Sequence, residues 1–557
     1  MSEISESTIR LIDAIHSHSD VYTHESDGDH TGGKGGASSS PVRPDARTTR
    51  RVFAAILRRM AMADRMIKHI PLTRHMPLQS PLQSGGVGGG NVYMSPLIVD
   101  ESTSPFLSAD VRSEIVNNHH THASTWFHYT WNIAIDGQQT RYVDLYLSYP
   151  DDAVPISEAA VLQRVRLIFI WLQIAVPLSA RNCSSRLRIC MYFTNVLKQT
   201  PADDHHVFAH AHSHDQSSSH TNDTHPLEYT HVNSAVARTC MQQQQQPETI
   251  RDICLFREEE WLKVFIHETF HSLGFDFSGI APSVLSRVDD EMRKAYPMIP
   301  TTTPVNLFEM YCETWAGILN VLMIVFAIPR NRVVVRARAP IRMYITPKRP
   351  LPNNRKRRPI TRRRRNSRIF AGQFHAESIA REAFLALEHE IAFCGLQAVK
   401  VLHLAGKINP SHIWLKPPRT TTKTPTQFYT NTSAFSYFIL RSFVLRRFCE
   451  FVAWCSNHQA PNTVLLPFSI PWTTPGVLDE FILRFVIHPF YASSIIGIGN
   501  NGNSVTEFTR LSLVEAKDHV AFLTRMAGTL RTIQQSHPTE NTSMFLQSMR
   551  MTLYSIY

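Results

Sequence analysis

The segment 256–275 constrains the fold most, because it holds an H-E-x-x-H sequence inside the apolar spacing of an amphipathic helix. On a helix, residues i and i+4 lie on the same face, so the imidazoles of His267 and His271 can bind one divalent cation. Glu268 then lies where a general base for metal-activated water is needed. The pattern predicts a zinc site on a helix that ends at Gly274. Two surface histidines on an ordinary helix are the alternative.

The third metal ligand decides the class of zinc site. A structural site needs cysteines or a closed set of four ligands, and the chain has no C-x-x-C pair. A catalytic site needs three protein ligands and one open position. In the pattern H-E-x-x-H-x-x-G-x-x-H, Phe277 occupies the last ligand position and cannot bind a metal. The neighbouring Asp276 is a rival third ligand, one position out of phase.

A better candidate for the third ligand lies in the segment 306–326, which also has the composition of a helix. Glu309 and Glu313 are its only charged residues, and they are one helical turn apart. Two carboxylates on a largely apolar helix are costly to bury without partners. A metal ion and its histidine ligands would supply those partners. Pairing of both glutamates with arginines elsewhere is the alternative.

The residues Glu309–Ala316 (EMYCETWA) resemble the second motif of thermolysin-like gluzincins. In that motif a ligand glutamate is followed four residues later by an acidic or amide residue. The resemblance implies that Glu309 is the third ligand and that Glu313 orients a histidine through its other ring nitrogen. The reverse assignment, with Glu313 as the ligand, stays open. Tyr311 is a candidate oxyanion donor by its proximity in sequence alone.

Four separated fragments resemble a family of H-E-x-x-H proteins encoded by large nucleocytoplasmic DNA viruses. The fragments are FREEEWLKVFIHETFHSLGFDFS, FEMYCETWAGILN, SAFSYFILRSFVLRR and NTSMFLQSMRMTLY. The resemblance implies a zinc metallopeptidase with a helical C-terminal part, and it implies no substrate. A metallopeptidase with a gluzincin-like site would act on a protein or peptide substrate. The expected fold class is α+β, with a zincin-like core of a small sheet and active-site helices.

The organisation along the chain is uneven. The predicted regions are 1–95, low-complexity and mostly disordered; 96–329, the catalytic core, with a His-rich insertion at about 201–249; 330–372, a basic linker; and 373–557, a helical domain. The predicted elements are helices at 52–70, 161–178, 378–405, 433–455, 476–490 and 514–533, a hairpin at 125–148 around Asp136-Gly137, and a strand at 186–195. The insertion is interpreted as a solvated loop, with weak metal binding as the alternative.

The segment 330–368 is strongly basic, with 16 Lys and Arg and no Asp or Glu. Since the whole chain has a net charge of +11, the remainder is net negative. The segment favours nonspecific phosphate binding or nuclear import over a solvated spacer. The nucleic-acid candidates are Arg355, Lys356, Arg357, Arg358, Arg362, Arg363, Arg364 and Arg365. This segment motivates the alternative function, a noncatalytic virion or nucleic-acid-associated protein with a structural metal site.

Location is predicted from three weaker signals. The apolar runs 167–178 and 321–328 are short for a membrane span, so no transmembrane segment is expected. The N-terminus lacks the cationic start and apolar stretch of a secretory signal. Eight cysteines without a dense framework fit a reducing compartment. The sequence thus predicts an intracellular protein of the host cytoplasm or virion, with the nucleus reachable through the basic segment.

Overall fold

The computed structural model describes part of the 557-residue chain. The described residues are 44–67, 73–75, 107–119, 124–136, 139–150, 156–179, 183, 186–201, 227–240, 250–327, 367–406, 408–410, 413, 427–459, 466–468, 470–486, 517–531 and 547–554. They form a mixed fold in which helices pack around one small sheet. The predicted α+β class is therefore confirmed.

Within the described residues, the sheet has six strands in the order β1-β2-β3-β4-β6-β5. Their bounds are β1 Thr73–His75, β2 Ser124–Asp136, β3 Gln139–Pro150, β4 Arg186–Tyr192, β5 Ala235–Ala237 and β6 Ile250–Leu255. β3, β4 and β6 run parallel, whereas β1, β2 and β5 each pair antiparallel with a neighbour. Because β5 is last in the order, one of its edges has no partner strand among the described residues.

The hairpin predicted around Asp136-Gly137 is confirmed by β2 and β3. The two strands pair from Ser124 with Pro150 down to Asp136 with Gln139. Alternate residues of β2 from Phe127 to Ile133 are buried in the main core. Trp126, on the opposite face, is buried in a second and smaller cluster, so both faces of the strand are partly covered. The predicted strand at 186–195 corresponds to β4, which lies parallel to β3 and therefore needs a crossover connection.

The segment 227–240 differs from the prediction of a solvated loop at 201–249. It forms a short helix, Tyr229–Val232, and then the edge strand β5. Leu227, Val232 and Ala235 are buried, so this part of the insertion packs as core. The apolar pattern of this segment was missed in the sequence because a histidine-rich stretch precedes it. The rest of that prediction, 202–226 and 241–249, lies outside the described residues.

Twelve helices occur in the described part of the chain. They are α1 Pro44–Met66, α2 Ala109–Glu114, α3 Glu158–Ala175, α4 Tyr229–Val232, α5 Trp261–Leu273, α6 Pro282–Ala295, α7 Leu307–Ala327, α8 Ser367–Leu404, α9 Arg441–Arg446, α10 Phe448–Asn457, α11 Val477–Phe485 and α12 over 517–531. A π-helical turn, Phe435–Leu440, precedes α9.

Three helices differ clearly from the sequence predictions. α8 begins at Ser367, eleven residues before the predicted start at 378 and inside the predicted linker 330–372. α1 begins at Pro44, eight residues before the predicted start at 52 and inside the region predicted to be mostly disordered. Proline suits the first turn of a helix, where its missing N–H costs no hydrogen bond. The single helix predicted at 433–455 is broken at Arg447, whose φ of −104° and ψ of 26° are not helical. The two parts therefore pack as separate helices, α9 and α10.

α5 and α7 lie side by side at the centre of the fold, and their packing positions the candidate site. Every side chain of α5 is buried, as are nearly all those of α7. Aromatic side chains pack around the pair. Trp171 stacks on Phe270 of α5, and Phe468 meets the ring of Trp315 of α7 edge to face, with centroids 5.0 Å apart. Such close packing leaves the two helices little freedom to slide past each other.

Among the described residues, two helices are long and apolar enough to span a membrane by length and composition, namely Glu158–Leu178 and Leu307–Ala327. They are longer than the apolar runs seen in the sequence. In their most apolar windows, 67% and 89% of the residues are buried inside the fold. Since buried core helices pass the same test, the predicted absence of a transmembrane segment stays a prediction.

The C-terminal segment 547–554 lies in the interior, against the start of α5. The backbone N–H groups of Met551 and Thr552 both donate to Oε1 of Glu260. The Nζ atom of Lys198 lies 2.8 Å from the other carboxylate oxygen. Burial opposes the charged form, but Lys198 and its cationic neighbours hold the pKa of Glu260 below its usual value. The carboxylate is therefore charged, and it ties three distant parts of the chain together.

We predict that Glu260→Gln destabilises the protein by about 3–5 kcal/mol, because it removes the carboxylate that pairs with the buried ammonium of Lys198. Urea unfolding followed by circular dichroism measures the loss. Glu291→Gln is the control, since Glu291 pairs at 2.7 Å with an exposed lysine and should cost about 0–1 kcal/mol. Equal losses in the two variants would contradict the role assigned to Glu260.

Candidate metal centre

α5 carries the H-E-x-x-H residues and ends as the sequence predicts, at Gly274. The φ of Gly274 is 70°, in the left-handed region that favours glycine. A Cβ atom at this position would also lie 3.2 Å from the Cβ of Cys240. Cys240 forms a disulfide with Cys183, so this bond packs against the C-terminal end of α5. A disulfide is more typical of an oxidising environment than of the predicted reducing one; the predicted location stays a prediction.

His267, His271 and Glu309 present one donor atom each to a common point. The Nε2 atoms of the two histidines are 3.0 Å apart. Oε2 of Glu309 lies 3.0 Å from Nε2 of His267 and 3.4 Å from Nε2 of His271. Ligands at 2.0–2.1 Å from a tetrahedral ion are separated by about 3.3 Å. The three separations therefore suit a single ion, and these residues could hold a metal.

The donor atoms also lack other partners, which is the expected mark of a cation site. Oε2 of Glu309 is buried and has no hydrogen bond among the described residues. The two Nε2 atoms face each other, and two neutral imidazoles in contact through bare nitrogens would repel. A cation, or a proton in its place, must therefore lie between these atoms. The donor set thus fits a divalent ion that prefers nitrogen and carboxylate ligands.

The second ring nitrogen of each histidine faces a carboxylate. Nδ1 of His271 lies 2.5 Å from Oδ2 of Asp276. Nδ1 of His267 lies 3.0 Å from Oε1 of Glu313, an ion-pair contact whose angles fall short of a hydrogen bond. Carboxylates in these positions fix the ring orientation and direct Nε2 toward the shared point. Glu313 and Asp276 thus lie behind the histidines, on the Nδ1 side of the rings. Glu309 lies in front of them, on the Nε2 side.

Asp276, the rival third ligand, offers a second set of donor atoms together with His271 and Cys312. The contact of 2.5 Å between Asp276 and His271 is shorter than the separation of about 3.3 Å between two ligands of one tetrahedral ion. It is the length of a strong hydrogen bond. The geometry therefore gives Asp276 an orienting position. The position of Asp276 in the sequence relative to His271 did not predict this contact.

The buried carboxylates set the protonation of the site. Burial opposes the charged imidazole of His271, but Cys312, Glu309 and Asp276 raise its pKa well above the usual value. Burial would raise the pKa of Glu309, but the two histidines lower it far below its usual value. A cation at this point replaces an existing proton, so metal binding should release protons. Burial is the largest cause of the raised pKa of Glu268.

Glu313 also pairs with two cations, one of them an arginine as the alternative interpretation expected, although the sequence did not identify either residue. Nζ of Lys263, one turn before His267 on α5, lies 2.5 Å from the carboxylate. NH1 of Arg441 lies 4.0 Å from it. Burial opposes ionisation, but Lys263, His267 and Arg441 lower the pKa of Glu313 well below its usual value. Glu313 is therefore charged and already paired, which makes it a poorer ligand than Glu309.

A cavity of about 570 Å³ opens on the metal ligands. Glu268 lines it beside both histidines, and the edge strand β5 forms another part of its wall. Tyr437, in the π-helical turn before α9, also lines the cavity and lies edge to face with His267 at a centroid distance of 6.3 Å. The hydroxyl of Tyr437 forms no hydrogen bond with a described residue. Nothing in the sequence pointed to Tyr437, because it lies within a run of packing aromatics 170 positions after His267.

Two other sequence candidates are not brought to this cavity. Tyr311 is fully buried and donates from its hydroxyl to the carbonyl of Phe468 at 3.2 Å. It therefore packs in the core behind α7, so its proximity in sequence was misleading. The basic candidates Arg355 to Arg365 lie outside the described residues. Their predicted contact with nucleic acid stays a prediction.

Comparisons with known proteins find no relative of this chain. No protein-family model, no curated protein and no solved structure matches this chain. The resemblance to the viral H-E-x-x-H family therefore rests on the sequence fragments and stays a prediction.

We predict that Glu309→Gln weakens metal binding more than Glu313→Gln does. Loss of an orienting carboxylate costs roughly 10–100-fold in metal affinity, and loss of a direct ligand should cost more. Competition with a chromogenic chelator, using Zn²⁺ and Co²⁺, measures both affinities, and circular dichroism checks folding. Asp479→Asn, at an exposed ion pair with Arg287, is the control. The opposite order would assign the ligand role to Glu313.

Proposed function

We propose that the protein is a zinc-dependent metallopeptidase with a gluzincin-like site. The observation that carries the proposal is the convergence of His267, His271 and Glu309, with donor separations of 3.0–3.4 Å, on a cavity that also contains Glu268. Three protein ligands beside open space are typical of a catalytic zinc site, whereas a structural site is closed by a fourth ligand. Two imidazoles and one carboxylate suit zinc among the common divalent ions.

The arrangement around the site supports a zincin-like core. The helix with the paired histidines packs against β5 and β6, and a second helix supplies the acidic ligand. β5 lies at the edge of the sheet and lines the cavity, and its outer edge is unpaired within the described residues, so its backbone groups can pair with an extended peptide. Main-chain pairing of this kind would hold a substrate without regard to most of its side chains. A protein or peptide is therefore the substrate class we infer.

The chemistry assigned to the chain's own residues is general acid–base catalysis. Zinc, when bound, supplies a Lewis acid that polarises a carbonyl and lowers the pKa of water toward about 7. Glu268 accepts a proton from water as the water oxygen attacks the scissile carbonyl carbon. The same carboxyl then delivers the proton to the nitrogen of the leaving amine as the C–N bond breaks. Its raised pKa, caused chiefly by burial, suits both transfers near neutral pH.

Tyr437 is the residue we assign to the oxyanion. Its ring lies beside His267 at the cavity wall, and burial, together with Glu309 and the other nearby carboxylates, raises its pKa well above the usual value. The phenol therefore keeps its proton at physiological pH and can donate it in a hydrogen bond. A donor aimed at the carbonyl oxygen stabilises the negative charge that develops there.

We predict that Glu268→Gln keeps the metal and lowers peptide hydrolysis by about 10²–10⁴-fold, because the amide cannot accept the proton from water. Turnover of an internally quenched peptide library measures hydrolysis, and metal analysis measures occupancy. Glu388→Gln, which removes a carboxylate from α8, is the matched control and should leave turnover unchanged. Undiminished turnover in the Glu268 variant would refute the general-base role.

We expect Tyr437→Phe to lower kcat by about 10²–10³-fold with little change in KM or metal affinity, because the lost hydrogen bond acts mainly in the transition state. Steady-state kinetics on the same peptides separate kcat from KM. Tyr429→Phe, at a half-exposed tyrosine, is the control. A rise in KM at constant kcat would assign Tyr437 to substrate binding.

The alternative is a noncatalytic virion or nucleic-acid-associated protein whose metal only stabilises the fold. A site plugged by a side chain would favour it, and the cavity beside His267 and Glu309 favours the peptidase. Hydrolysis that depends on Glu268 would exclude the alternative. The origin in a large DNA virus, with action in the host cell or virion, belongs to the proposal on the strength of the sequence fragments alone.

A further inference from the structure

The outward face of α1 has an unusual composition. Its buried face packs on the body of the protein, where Phe53 contacts the rings of Phe384 and Phe448, and Thr49 donates to the carbonyl of Cys449. The exposed described residues of the helix are all arginine or methionine: Arg47, Arg50, Arg51, Arg58, Met62, Arg65 and Met66. The docked inner face fixes the orientation of this outer face. The arginines therefore form a defined surface.

Four of these arginines form one row along the helix. At 100° per residue, Arg47, Arg51, Arg58 and Arg65 fall within about 40° of one another around the axis. They span 18 positions, which is about 27 Å at 1.5 Å per residue. We call these four residues the arginine row. A row of this length is comparable to about eight base pairs of duplex DNA.

The arginine row is not neutralised by the described part of the protein. None of its four guanidinium groups forms an ion pair with a described carboxylate, and Asp64 of the same helix pairs with Arg166 of α3. Some arginines elsewhere are paired, since Arg287 pairs with Asp479 and Arg484 pairs with Glu450. Four positive charges on one face, unpaired within the described part of the protein, repel one another and attract a polyanion.

We propose that the arginine row binds the phosphate backbone of nucleic acid, independently of base sequence. Guanidinium groups match phosphate oxygens with paired hydrogen bonds, and a straight row fits a regularly spaced polyanion. An anionic membrane is a weaker match, because the apolar face of α1 is buried in the protein and only Met62 and Met66 could enter a bilayer. This site is distinct from the metal centre and goes beyond the proposed peptidase function.

The test replaces all four arginines of the row with glutamine in the full-length, metal-loaded protein. A matched variant carries four other exposed cations replaced with glutamine, Arg287, Lys294, Arg525 and Arg531, so both proteins lose the same charge. Fluorescence anisotropy with a random-sequence DNA duplex measures affinity from about 50 to 200 mM salt. Vesicles with and without phosphatidylserine, and metal titration, are run in parallel.

The row variant should bind DNA at least about tenfold more weakly at about 0.1 M salt, and its slope of log affinity against log salt should be shallower by about 3–4. The matched variant should keep a slope within about 1 of the wild type. Metal affinity and peptide hydrolysis should be unchanged in both, so failure here is separable from failure of the peptidase proposal. Unchanged DNA binding, an equal loss in the matched variant, or a loss confined to phosphatidylserine vesicles would each overturn the proposal.

Discussion

One buried carboxylate, that of Glu313, joins the two helices of the candidate metal centre. It lies 2.5 Å from Nζ of Lys263 and 3.0 Å from Nδ1 of His267, both on α5. An unpaired charge at this depth would cost several kcal/mol. The favoured position of α7 is therefore the one that brings Glu313 within reach of these partners. That constraint sets the register of α7 against α5. Glu309, one turn earlier on α7, is thereby brought in front of both histidine Nε2 atoms.

The same network of buried charges continues from the metal centre to the C-terminal segment. Arg441 lies 4.0 Å from Glu313 and 3.0 Å from Glu390 of α8, and Glu390 accepts from the backbone of Leu553. Gly317 of α7 leaves the room for this arginine, since a Cβ there would lie 2.5 Å from its NH2 atom. Because each charge has its partner on a different element, the interior charges select one arrangement of helices rather than add much net stability.

Local signals in the sequence were sufficient for the elements that carry the site. The apolar spacing around His267 predicted α5, and Gly274 predicted its end, because both depend on interactions within a few residues. The hairpin and α7 followed from the same kind of evidence. The edge strand in 227–240 was missed, since a short strand paired along one edge is set by its neighbour β6 rather than by its own alternation. Tyr437 was missed for a similar reason, as a π-helical turn has no local pattern.

The sequence by itself determined which residues could bind a metal and that they lie on two helices, because the spacing of four along a helix fixes a common face. It left open which carboxylate faces the imidazoles, what holds the histidine rings, and what else lines the cavity. Tertiary structure decided these points: Glu309 in front, Glu313 and Asp276 behind, and Tyr437 on the wall. The physical reason is that the rotation of one helix against another depends on packing and on the pairing of buried charges far apart in the chain.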